Sequence, residues 1–154
     1  HLGVNVIWLA AFGSVVAKRL GNVLFLVFFA LGSASGALAH FLTHSAVLVP
    51  VVGASGAVSA CMGAAVRFAF TRGGVSRHPE TARRLSLIES FRNPAIVAFV
   101  GIWLALNWVF GAGVVAIPGA GGEIAWQAHV GGFLFGVLAF GAFDAMRPTD
   151  REVQ

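Results

Sequence analysis

Acidic residues are scarce in this chain: there are six Asp and Glu among 154 residues, and charged residues of every kind make up only 10%. A soluble domain of this size needs far more polar surface than that, so an ordinary soluble fold is excluded. Cysteine occurs once, as Cys61 inside an apolar run, so no intrachain disulfide exists and the thiol serves packing. Tyrosine is absent altogether. There is no alternation of the kind that builds membrane β-barrels, and no internal repeat or low-complexity tract.

What the chain does have is long apolar runs. Hydrophobic residues make up 58% of it. Five runs, about 2–16, 22–42, 54–70, 93–112 and 125–145, approach the roughly 20 residues that cross a ~30 Å hydrocarbon core. The fold class is therefore all-α: a polytopic transmembrane helical bundle of five helices. The first run carries His1 and Asn5 and has no basic stretch before it, which is unlike a signal peptide. Because it begins at His1 rather than Met, the chain reads as a piece of a longer protein.

An isoelectric point near 11.1 would suggest nucleic acid in a soluble protein. Here the basic residues mark topology. Lys18 and Arg19 lie between runs one and two. Arg67, Arg72, Arg77, Arg83, Arg84 and Arg92 lie at or between the facing ends of runs three and four, and Arg147 and Arg151 follow run five. The connections at about 43–53 and 113–124 contain no Lys or Arg. The positive-inside bias puts the basic connections in the cytoplasm and the bare ones outside. His1, Asn5, Ser55 and His129 then share the outer face.

The second connection, HFLTHSAVLVPVVG, is uncharged and broken by Pro50, so it reads as a loop close to the membrane. The fourth, GAGVVAIPGAGGEI, is Gly-rich with Pro118 and reads as a lid. The polar segment at about 71–92 reads as a solvated cytoplasmic loop. Its TARRLSLIES part has the composition of a short interfacial helix with Arg–Glu pairing at helical spacing.

Small residues recur at every fourth position. Gly32 and Gly36 share a face of run two, Gly56, Ala60 and Ala64 a face of run three, and Ala128, Gly132 and Gly136 a face of run five. In lipid such faces let helices approach closely, which would bring Ser55 and His129 to similar depth.

Ser55 opens its helix within GASG. Serine is a favoured N-cap, which is its ordinary role in such a place. Gly53 and Gly56 remove side chains around the hydroxyl and leave room for another chain to reach it. The stretch is not the GxSxG elbow of α/β-hydrolases, since position 57 is Ala. His129 lies one turn inside its run, where an ionisable residue is costly and marks a functional site. Serine and histidine at matched depth can act as nucleophile and general base. No carboxylate sits where it could orient the imidazole, so catalysis would use a dyad. His1 and Asn5, four residues apart, can both donate hydrogen bonds; with the Ser55 N–H they form a three-donor oxyanion hole.

These residues resemble the motifs of the rhomboid intramembrane serine proteases. HLGVN is similar to the HxxxN of the family's second helix, GASG to the GxSG of the fourth, and AHVGGFLFG to the AHxxG signature of the sixth. The resemblance covers essentially the whole chain, which would be a rhomboid-like catalytic domain over 1–154 with five of the six core helices. It implies Ser55 as nucleophile and His129 as base, with His1, Asn5 and Gly53 at the oxyanion and substrate-binding positions. It also implies a lateral gate at the helix carrying Trp103 and Trp108. Where some members carry a Tyr against the histidine, this chain has Ser59, so another group must orient His129.

The expected activity is hydrolysis of peptide bonds in or near transmembrane segments, without metal or cofactor. The expected partners are transmembrane substrates and the lipid bilayer, not nucleic acid. A bacterial inner membrane, with the site toward the periplasm, is the expected location. A substrate helix must unwind before its carbonyl reaches Ser55, which favours small or helix-breaking residues there. The competing reading is an inactive rhomboid-like protein that binds transmembrane clients. A small transporter would need mid-membrane charges and inverted repeats, neither of which is visible.

Overall fold

The computed structural model describes residues 2–43, 54–71, 74–76, 78–79, 81–111 and 125–147. Helix α1 runs from Leu2 to Leu20, with a five-residue π turn at Leu9–Gly13. Gly21 stops it by adopting a φ of 79°, which costs glycine little. Lys18 and Arg19 occupy the last turn, where cations complement the helix dipole. Helix α2 is Asn22–Thr43, 22 residues or about 33 Å long. Helix α3 is Ser55–Ala65, α4 is Leu87–Arg92, α5 is Pro94–Gly111 and α6 is Trp126–Ala145. Of these, α1, α2, α5 and α6 are long and apolar enough to cross a membrane.

Helix α3 departs from the expected run of 54–70. Its 11 residues reach about 16 Å, roughly half the hydrocarbon thickness. Every residue from Gly56 to Ala65 is buried, so other helices rather than lipid surround it. The apolar run continues past the helix because Val66, Phe68, Ala69 and Phe70 are also buried by protein. Hydropathy alone therefore could not show where the helix stops. Turn bonds from Arg67 N–H to Ala64 O and from Phe68 N–H to Ala65 O end it.

Beyond that turn a minimal antiparallel ladder pairs β1, Phe70–Thr71, with β2, Gly74–Val75. In the polar segment only Leu87–Arg92 is helical. Ser86 starts it with a capping box: its hydroxyl accepts from Glu89 N–H while the Glu89 carboxylate accepts from Ser86 N–H. Arg83 pairs with Glu89 six residues away, across the helix start rather than along a helix face. That pairing, with the Ser86 contacts, lowers the Glu89 carboxyl to about 2. The short helix thus begins later than the TARRLSLIES spacing suggested.

Helices α2, α3 and α6 meet through the small-residue faces. A methyl built onto Gly32 would lie 2.5 Å from Ala60 Cβ, and one on Gly36 would lie 2.7 Å from the Ala128 carbonyl oxygen. Added side-chain atoms at Gly132 and Gly136 would overlap the carbonyls of Gly56 and Ala60. Below this layer the large rings take over. Phe28 packs edge-on against Phe140 and Phe143, and Phe68 stacks on Phe140 at 5.0 Å.

Among the described residues, Arg19, Arg67 and Arg84 gather at one end of the bundle. The Arg19 guanidinium, with its side chain only 1% exposed, bonds Asp144 Oδ1 at 2.7 Å and the Ala82 carbonyl at 2.7 Å, and lies 4.5 Å from the Phe68 ring centre. Arg67 donates to the carbonyls of Leu85 and Val137, and Arg84 to that of Gly141. The segment around 79–85 is therefore tied to the bundle rather than freely solvated. Since α1 and α6 both finish at this end, the first residues of α1, α3 and α6 lie at the other.

Candidate active site

At that other end, α3 and α6 begin side by side. A Cβ on Gly56 would be 3.6 Å from the Ala128 carbonyl oxygen, an ordinary contact distance. Ser55 precedes Gly56 and His129 follows Ala128, so the two lie within about a helical turn of one level. Both are partly buried.

Ser55 does not serve as the helix cap. Ala54 occupies the N-cap position without any side-chain cap bond, and Ser55 is the first helical residue. The first helical bond runs from Val58 N–H to Ala54 O at 2.9 Å, so the Ser55 amide precedes the helix's own acceptors. The Ser55 hydroxyl bonds no described residue. Its lack of a capping role leaves both the hydroxyl and the amide available to a ligand.

His129 is anchored by one ring nitrogen. Its Nδ1 lies 2.7 Å from Asn107 Oδ1 on α5, and Asn107 Nδ2 in turn donates to the Trp103 carbonyl at 2.8 Å. Nε2 has no hydrogen-bond partner among the described residues, and Ser55 and His129 are not bonded to each other.

Asn5 lies on α1 between exposed neighbours: Val4 and Val6 are open while Asn5 is partly buried. It shares its inward row with Leu9, one turn on, where the π turn begins. His1 and Gly53 lie outside the described residues.

A comparison with protein-family models matches the Rhomboid domain over residues 1–144. The chain belongs to the rhomboid family. No curated protein and no solved structure matches it. Rhomboids are a family of intramembrane serine proteases that includes inactive members, and this one is a multi-pass membrane protein.

On α5, Trp103 stacks on Phe133 of α6 at 4.6 Å between ring centres, whereas Trp108 points outward, 57% exposed. The residue that sequence reasoning missed is Asn107. Neither a carboxylate nor a tyrosine is available in the sequence to orient His129. A lone amide in LALNWVF was itself a signal, since a polar side chain in a spanning helix needs partners.

Proposed function

We propose that this rhomboid is an active intramembrane serine protease that hydrolyses peptide bonds in or near the transmembrane segments of other membrane proteins. The observation that carries the reading is that the Ser55 hydroxyl and His129 Nε2, neither with a hydrogen-bond partner among the described residues, lie within about a helical turn of one level where α3 meets α6.

In the first step Ser55 Oγ attacks the scissile carbonyl carbon and its proton passes to His129 Nε2. The new Oγ–C bond gives a tetrahedral oxyanion, held by the Ser55 N–H and the Asn5 amide, with His1 as a third donor. The imidazolium then protonates the leaving nitrogen, the C–N bond breaks and an acyl-serine remains. Water, deprotonated by the same imidazole, releases the acid and restores the hydroxyl. By its place in GASG, Gly53 is assigned to substrate binding.

Because Arg19, Arg67 and Arg84 lie at the opposite end, the positive-inside bias turns the Ser55 end outward. In a bacterial inner membrane that face is periplasmic. The test is cleavage of a transmembrane reporter by the chain and by Ser55→Ala and His129→Ala. Both variants should insert normally and lose cleavage. Cleavage retained by either would remove that residue from the mechanism, and an inactive parent that still binds the reporter would assign the chain to the non-catalytic members.

A further inference from the structure

We propose that Asn107 is the positioning residue of the general base. Its amide oxygen holds His129 in the tautomer with hydrogen on Nδ1, and so keeps Nε2 open to the Ser55 proton. The inference rests on the reading of His129 as the base and deepens it by naming what orients the ring.

The amide orientation follows from its second bond. Asn107 Nδ2 donates to the Trp103 carbonyl, one turn earlier on α5, at 2.8 Å. Turning the amide over would set two oxygens against each other with no hydrogen between them. Oδ1 therefore faces His129, and an amide oxygen only accepts. The ring nitrogen 2.7 Å away must carry the hydrogen. A neutral imidazole has one N–H, so Nε2 keeps its lone pair. In serine protease triads a carboxylate performs this selection. Here a neutral amide performs it, without placing a charge inside the membrane. During acyl transfer the Nδ1 hydrogen stays on the ring, bonded to Asn107, while Nε2 gains and returns the serine proton.

The same bond links the base to the seating of α5. The contacts of that helix include a row with a spacing of four. Phe99 packs on Phe12 and Phe70, Trp103 on Phe133, Asn107 on His129 and Gly111 on Trp126. Ile96 is the one buried residue of α5. A shift of the helix along or away from this row would take the acceptor from His129.

The experiment compares the parent chain with Asn107→Leu, which has similar bulk and no acceptor, and Asn107→Asp, which keeps an acceptor oxygen. Turnover of a transmembrane reporter is measured alongside 15N NMR of histidine-labelled protein, which reports the ring tautomer. The parent should show hydrogen on Nδ1. Asn107→Leu should lose at least about tenfold in kcat at nearly constant KM and lose the Nδ1–H signature; Asn107→Asp should recover most of both. Hydrogen on Nε2 in the parent overturns the proposal even if the variants fail to fold. Parental kcat in Asn107→Leu, or an unchanged tautomer in it, overturns it as well. His129→Ala run in parallel separates the two ideas, because cleavage without His129 defeats the base assignment rather than the role of Asn107.

Discussion

The backbone of Gly132 on α6 lies against the Gly56 carbonyl on α3, so close that a Cβ at 132 would overlap it. This contact sets the depth of Ser55 relative to His129, and it makes the glycine face a specific test of packing. Gly132→Ala should destabilise the bundle by about 1–3 kcal/mol, the usual range for overpacking, seen as a lower midpoint of thermal unfolding in detergent. Gly101→Ala is the control, since a Cβ there would meet nothing within 4 Å. It should leave the midpoint unchanged or slightly raised.

The ion pair at the opposite end predicts an asymmetry. Asp144→Ala would leave the Arg19 guanidinium buried without its carboxylate, which typically costs about 3–5 kcal/mol. Arg19→Met should cost less, because Arg84 and Arg147 remain 3.8 Å from the Asp144 carboxylate. Unfolding midpoints of the two variants, measured side by side, should therefore fall in that order.

Asn5→Ala should lower kcat by about 10–1000-fold while substrate binding persists, because its amide is needed only when the oxyanion develops. A higher KM at constant kcat would assign Asn5 to substrate binding instead. Steady-state kinetics on a transmembrane reporter distinguishes the two.

Trp103 holds α5 against Phe133. Trp103→Ala should reduce kcat by up to about 100-fold, the cost of small misplacement at a reacting centre. Leu106→Ala, on the exposed side of the same helix, should leave kcat unchanged. Equal losses in both variants would mean that α5 acts through bulk hydrophobicity rather than through its packed row.

The apolar runs revealed the helices because a lipid-exposed helix must be apolar wherever it faces lipid, as Val23, Leu26 and Leu38 of α2 do. The same rule failed at Ala65, where apolar residues continue for protein burial rather than for lipid. The spacing of Gly32, Gly36, Gly132 and Gly136 was legible since only small residues allow backbones to touch. The lone amide of Asn107 was visible but its partner was not, because which ring nitrogen it meets is settled across two helices, and no periodicity records that. Ser55 does not take the ordinary capping role of a serine for a local reason: the helix begins one residue earlier than a serine cap requires, with Ala54 at the cap.

The central claim is that His129 activates Ser55. A fluorophosphonate probe tests it directly, with the modified residue located by mass spectrometry. The parent chain should be labelled at Ser55, and His129→Ala, folded and inserted equally, should be labelled far more slowly or not at all. Labelling of His129→Ala at the parental rate, or labelling of the parent at a serine other than Ser55, would contradict the account.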